Sequence, residues 1–374
     1  MSPMRARTPT RTRQLGLSLV ELMVALVIGA VLIAGAFNVY ISSKKSYGDN
    51  EAVSRLQETA RFAMTVIEAD VREGNYWGLL KGGQFIDNTS GSGTPQFAAA
   101  APIANSAAMQ VCGTNFGTDT YTSLQGDNNR YRLSLSGTKQ AGCDTLADFS
   151  SGIAWTTTPV ATADTLTVRR ASTTRETGPF PEAAALRVCS TRHTGFLVND
   201  GGAICTTFPQ EQLNNLIVNA YYVDQNSQQQ AGYPSLHRKM LVSIGGVPQF
   251  RDQEVIAGVE DLQVQFGIDP TGITGVAQSY VNPENVPVGA QIVAVRVWLM
   301  VRSDAGEAGF IDNRVYQYGD RLQGTGVTGD LNVAANAGLA YQPSTSVDAT
   351  VNGPRHARHL LISRTIQIRN RFGT

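Results

Sequence analysis

Two apolar patterns divide the chain. The first is continuous: LGLSLVELMVALVIGAVLIAGAF opens at Leu15, and no charge falls between Leu22 and Ser43. A run of about 20 apolar residues is long enough to cross a bilayer as a helix. The second is periodic. Val53, Leu56, Ala60, Ala63, Ile67 and Val71 step by three or four, while Arg55, Glu58, Arg61, Glu68 and Arg72 fall between them. That spacing predicts an amphipathic helix to about Glu73, ending near Gly74. Its first half is apolar all round, and its second half has one face to bury. Unbroken from Leu17, it would be about 85 Å long at 1.5 Å per residue. Gly29, Gly35 and Gly48 are places to bend, and two helices broken at Gly48 are the alternative. Ala25/Gly29 and Ala30/Ala34 are small pairs that let helices approach closely.

Beyond the helix the period changes to two. In VEDLQVQFGID, Leu262, Val264, Phe266 and Ile268 alternate with polar residues. In IVAVRVWLMVRS, Val293, Val295, Val297, Leu299 and Val301 share a face, opposite Arg296, Trp298 and Arg302. In HLLISRTIQIRNR, Leu360, Ile362, Ile366 and Ile368 do the same. Three such segments predict an antiparallel sheet with one buried face, the seat for the helix stripe. Shorter strand-like runs occur at 165–170, 185–190, 195–199, 216–223 and 239–244. Residues 82–110, with SGSGTP and FAAAAP, read as a loop or insertion. The fold class is α+β, with no internal repeat.

Charge sharpens the N-terminus. The 374 residues carry 30 Lys+Arg and 30 Asp+Glu, a formal net charge of zero. A basic nucleic-acid binder shows a positive excess, so direct nucleic-acid binding is not expected. Charged residues are only 16%, below the roughly 25% of an average soluble domain. Glycine is 37 of 374, which suits a loop-rich, strand-rich extracytoplasmic protein. Arg5, Arg7, Arg11 and Arg13 all precede the apolar run with no acid among them; without them 26 basic residues face 30 acidic ones. This block orients the N-terminus to the cytoplasm, and the rest of the chain is exported. An ordinary secretory signal fits, with Ala34-Gly35-Ala36 as its cleavage site. So does a plain single-pass anchor. Neither needs Glu21, a carboxylate that costs about 2.5–3.5 kcal/mol in a membrane segment, less near its end.

Gly16-Leu17-Ser18-Leu19-Val20-Glu21, between the basic leader and a 16-residue apolar stretch, resembles the type IV prepilin signal. The resemblance implies that prepilin peptidase cuts between Gly16 and Leu17 and N-methylates Leu17, where the family more often has Phe. Glu21 becomes the fifth mature residue. The new α-amine has a reference pKa near 8, and it is a natural partner for Glu21 of a neighbouring chain. Pairing within the same helix is the competing reading, since an acid in the first turn is favourable anyway. The helix end ADVREGNYWGLL (Ala69 to Leu80) and the VEDLQVQFGID, IVAVRVWLMVRS and ISRTIQIRNR segments, with the loop 270–289, resemble PilW-type minor pilins. Pseudopilin J of type II secretion shares a related pattern. The resemblance covers roughly residues 10–80 and 250–371.

Other candidates are few. Cys112, Cys143, Cys189 and Cys205 form no CxxC, and in an exported chain an even count implies disulfides. Three pairings are possible. The sequential one, Cys112–Cys143 and Cys189–Cys205, is favoured because each pair brackets a turn-rich segment. Gly324-Thr-Gly326-Val-Thr-Gly329 matches GxGxxG, with Asp348 beyond it, but lacks the βαβ setting that a dinucleotide needs, and reads as a flexible loop. His193, His237, His356 and His359 lack an acid or Cys cluster beside them in sequence and read as surface residues. Asn88-Thr-Ser is a chance sequon. No cofactor, metal or catalytic constellation is expected.

The resemblance implies a type IV pilin-like fold in four parts. These are a cleaved leader (1–16), a transmembrane or filament-core helix (17–38), its amphipathic continuation (39–74) and a periplasmic β-rich domain (75–374) with a loop-rich insertion around 85–245. It implies a non-enzymatic minor pilin that initiates or caps a type IV pilus from the bacterial inner membrane. The implied partners are other minor pilins of the PilV, PilX, PilE and FimU types, the major pilin, a tip adhesin of the PilY type, prepilin peptidase and the inner-membrane assembly platform. A pseudopilin J-like role and an anchored or secreted adhesin are the alternatives. N-terminal sequencing of the mature chain separates these classes. It should begin at a methylated Leu17, and a start at Phe37 would mean a conventional signal.

Overall fold

The structure, a computed structural model, describes residues 18–87, 116–128, 163–177, 185–199, 205, 211–230, 232–244, 247–304, 306, 310–319 and 356–370. The leader with Gly16 and Leu17, Asn88, Cys112, Cys143, the 324–329 glycine segment and Asp348 lie outside them. One helix, α1 (Leu19–Arg72), passes through Gly29, Gly35 and Gly48 as helix. The described strands are β1 (Ile86–Asp87), β2 (Leu124–Asp127), β3 (Thr165–Arg175), β4 (Arg187–Ser190), β5 (Gly195–Val198), β6 (Gln212–Asp224), β7 (Ser235–Ile244), β8 (Val247–Ala257), β9 (Val259–Asp269), β10 (Ser279–Val281), β11 (Gln291–Arg302) and β12 (His359–Gln367).

The chain divides into two units, Met1–Val53 and Ser54–Thr374. In the first, the described residues form helix only, and from Ser18 to Gly48 every side chain except that of Gly29 is exposed. The second unit holds the end of α1 and both sheets.

The three period-two segments form one four-stranded antiparallel sheet in the order β10-β9-β11-β12. Register sets like against like. Leu262 faces Leu299, Val264 faces Val297, and Phe266 faces Val295, which in turn faces Ile366 on β12. Such cross-strand pairs each contribute a few tenths to about 1 kcal/mol. Their shared face meets Leu56, Ala60, Ala63, Met64, Ile67 and Val71 of α1 in one buried cluster. The helix stripe therefore lands where its spacing placed it, except that Val53 is 37% exposed.

A second sheet, of eight strands, runs β1-β5-β4-β6-β3-β2, with β7 also on β6 and β8 on β7. The stretch 85–245, expected to be a loop-rich insertion, supplies seven of these eight strands. β1 and β5 pair in parallel. Both faces of this sheet are covered. Tyr221 and Val223 of β6 join the helix core. Val218, Ala220 and Tyr222 join a second core built on Trp77, Leu80, Ile86 and Phe116. That second core depends on a close approach at Gly83, where a Cβ would lie 1.8 Å from the Thr120 carbonyl oxygen.

Two histidines correct the surface expectation: His237 and His359 are buried. His237 lies 2.8 Å from both Asp252 and Ser235, and the Tyr222 hydroxyl donates to Asp252 at 2.6 Å. Asp252, His237 and Ser235 follow the order of a hydrolytic triad. All three are buried, however, and Ser235 donates to the Asn226 carbonyl, so the line braces β6, β7 and β8.

Ile67 is fully buried at the centre of the helix seat. Ile67→Ala should destabilise the domain by about 2–5 kcal/mol, read as a lowered denaturant midpoint with an unchanged slope.

Candidate functional site

The start of α1 carries the one acid in the apolar run. The Ser18 backbone N–H donates to the Glu21 carboxylate at 3.1 Å, and the Glu21 backbone N–H donates to the Ser18 hydroxyl at 3.2 Å. This is a capping box, which satisfies two of the four donors that a helix start leaves open. The carboxylate is thus held by its own first turn, on an exposed segment. The helix beyond it is long and apolar enough to cross a membrane.

The other end of α1 is fixed by distant parts of the chain. Asp70 points from the helix into the seam and accepts from Arg170 at 2.8 Å, Asn219 at 2.6 Å and Tyr221 at 2.5 Å. Arg170 also pairs with Glu73 at 2.7 Å. Glu68 pairs with Arg72 on the helix and with Arg364 of β12. Arg364 lies in register with Val297, on the core-facing side of its strand, and reaches the helix instead of the core. Burial, then the Asp70 charge and hydrogen bond, push the Tyr221 phenol well above its ordinary value. The helix stops because Asn75 takes a left-handed conformation (φ 61°), which Asn tolerates better than most residues. The Arg369 N–H then donates to the Arg72 carbonyl at 3.1 Å, and Asn75 donates to the Asn370 carbonyl at 3.1 Å. The end of the chain thus closes the end of the helix.

This hub was not singled out in the sequence. Asp70 lies within ADVREG, in the helix-end segment that carries part of the resemblance to PilW-type minor pilins. Its partners are 100, 149 and 151 residues away, beyond any local pattern.

A second polar cluster lies where β9 and β12 meet the 310–319 segment. His359 sits 3.1 Å from both Asp312 and Glu260. Arg314 and Tyr316 hydrogen-bond Asp312 at 2.9 to 3.1 Å. Burial raises the Asp312 pKa, but the bonds from Arg314 and Tyr316 outweigh it and hold it at about 2. Among the described residues no group of three or more His, Cys, Asp or Glu is placed to hold a metal ion. Cys189 and Cys205 are joined by a disulfide, packed with Phe196, Val198 and Leu213.

The comparisons with known proteins divide in the same way. The model of the family "Type IV Pilus-assembly protein W" matches residues 220–370, which span the end of β6 through β12. The model of the prokaryotic N-terminal methylation motif matches residues 11–37. No curated protein matches. Among solved structures, the type IV-like pilin TTHA1219 from Thermus thermophilus aligns at 14% identity and a TM-score of 0.25, over 58% of this chain and 83% of that one.

Asp70→Ala leaves the buried Tyr221 and Asn219 without their acceptor and strips Arg170 of one of its two acids. It should cost about 3–5 kcal/mol. A raised phenol pKa stabilises fully below the ordinary value of 10 and is lost as pH rises through the folded value. Chemical denaturation from pH 8 to 11 should therefore show a steeper alkaline loss in the native chain than in the Asp70→Ala variant.

Proposed function

We propose that this chain is a PilW-family minor pilin of the type IV pilus, and that it works at the start or the tip of the filament together with other minor pilins. The observation that carries the reading is the pairing of the methylation motif over 11–37 with a PilW domain over 220–370. The motif and the apolar helix are consistent with a single-pass membrane-anchored pilin. Pilins are structural proteins that contact other pilus components.

On this reading prepilin peptidase cuts between Gly16 and Leu17 and methylates Leu17. The N-terminus faces the cytoplasm and the β-rich domain the periplasm. The parts are the leader to residue 16, the filament-core helix to 38, its amphipathic continuation to 74 and the domain beyond. The bare apolar surface of α1 is covered first by lipid and then by neighbouring helices, as its exposure requires. Glu21 leaves its capping box and pairs with the α-amine of an adjacent subunit. A domain this large fits poorly at every position of a regular filament, which favours the tip. The partners there are minor pilins of the PilV, PilX, PilE and FimU types, with the major pilin below and a PilY-type adhesin above. The inner-membrane platform drives insertion. Cys112 and Cys143 form a second disulfide.

Glu21→Ala should leave the protein processed and membrane-bound, yet lower its recovery in sheared filaments about tenfold. Ser18→Ala opens the same capping box but keeps the carboxylate, and it should lower recovery much less. Equal losses in the two variants would mean that Glu21 acts only as a cap.

A further inference from the structure

The outward face of the four-stranded sheet carries an arginine prepared for a partner that no described residue supplies. It is built from β9 upward. Gly267 faces Tyr280 across the β9–β10 pair, and a Cβ there would lie 2.9 Å from the Tyr280 ring and 2.9 Å from the Ala277 methyl. The missing side chain lets the ring lie down on the sheet, as aromatics do over strand glycines. Arg296 of β11 stacks on that ring at 3.8 Å, with Trp298 at 5.7 Å. Three other stacked arginines end on an acceptor of their own. Arg169 donates to the carbonyls of Phe116 and Thr122, Arg302 to that of Gly232, and Arg314 to the Asp312 carboxylate. Among the described residues Arg296 makes one hydrogen bond, from Nε to the Thr365 hydroxyl at 3.4 Å, and no ion pair. A guanidinium oriented by aromatic faces, with its terminal N–H groups free, suits bidentate capture of a carboxylate or phosphate.

The adjoining loop decides between the two. Asp269 is buried at the end of β9 and accepts from the backbone N–H groups of Thr271, Gly272 and Gly275 and from the hydroxyls of Thr271 and Thr274, at 2.6 to 3.1 Å. Burial alone would raise its pKa, but these bonds hold it well below the ordinary carboxylate range. The loop so fixed turns Ile273 and Val276 outward at 79% and 63% exposure. Val276 directly precedes Ala277, which sits against Tyr280, so loop and stack form one surface. An arginine stacked on Tyr280 and near Trp298 has the make-up of a protein-binding hot spot, and the exposed aliphatics beside it extend that surface with apolar area. A nucleic-acid surface would carry several cations and no bare aliphatics.

We propose that Ile273, Val276 and the Arg296–Tyr280 stack form the docking surface for a different pilin subunit, which offers an acidic side chain beside an apolar pocket. This rests on the reading of the chain as a filament subunit. The test uses the full chain, co-expressed in membranes with the other pilins of its own system. Val276→p-benzoylphenylalanine is irradiated, and the adduct is mapped by mass spectrometry. The expected adduct joins another pilin at a segment containing Asp or Glu. Arg296→Glu should lower its yield at least tenfold. Arg296→Gln, which keeps the aliphatic stem and carries the test if the glutamate variant misfolds in limited proteolysis, should lower it several-fold. An adduct indifferent to both substitutions, one only to a second copy of this chain, or none at all overturns the proposal. So does single-stranded DNA binding that Arg296→Gln abolishes. A chain recovered in filaments without the adduct sinks this surface alone. A chain absent from filaments whose adduct is to a protein outside the pilus sinks the underlying reading as well.

Discussion

One helix has to satisfy two solvents, and the rest of the structure follows from where the change occurs. From Leu19 to Ile41, α1 offers apolar side chains in every direction, and they are exposed. From Leu56 onward only one stripe is apolar, and it is buried against both sheets. Burying Leu56, Ile67 and Val71 contributes about 1.5–3 kcal/mol each. The two sheets gain a shared core by gripping the same 17 or so residues of helix. That grip needs a fixed axial register, because a helix stripe can slide by a turn and still bury apolar area. Asp70 removes that freedom: three donors from β3 and β6 converge on one carboxylate, and only one register satisfies them.

The two sheets differed in how plainly they could be read, and the difference is one of polarity on the second face. β9, β11 and β12 keep an outward face that is partly polar, so their inward residues stand out at period two. In β6 nearly every residue is buried, because one face meets the helix and the other meets the segment after it. A strand covered on both sides loses its alternation. Hence the short runs around 165–244 were visible as strands, while their assembly into a large sheet was not. The helix stripe was legible for the opposite reason: its solvent face kept its charges.

Buried polar groups were the harder part. Glu68, His237 and His359 look like surface residues in a linear chain, yet all are buried. Each is tolerable only because a partner from another element meets it. Arg364 reaches Glu68 from 296 residues away, and Asp312 meets His359 from 47. A buried polar or charged group without such a partner is costly, so these positions constrain the fold as the apolar core does. Nothing local marks them, which is why composition and periodicity passed over the Asp70 hub while finding the stripe beside it.

The two acids at the ends of α1 show how the same side-chain chemistry serves opposite ends. Asp70 is enclosed, with partners drawn from strands 100 residues or more away, and releasing it would open the core. Glu21 is exposed and, among the described residues, is held only by Ser18, three residues away. A capping interaction of that kind is worth about 1 kcal/mol, and opening it disturbs no tertiary contact. A carboxylate in a membrane segment costs more than that, so a cation arriving from another chain can outbid the cap. On the proposed function the helix is anchored where its register matters. It is left exchangeable where a neighbouring subunit has to take hold.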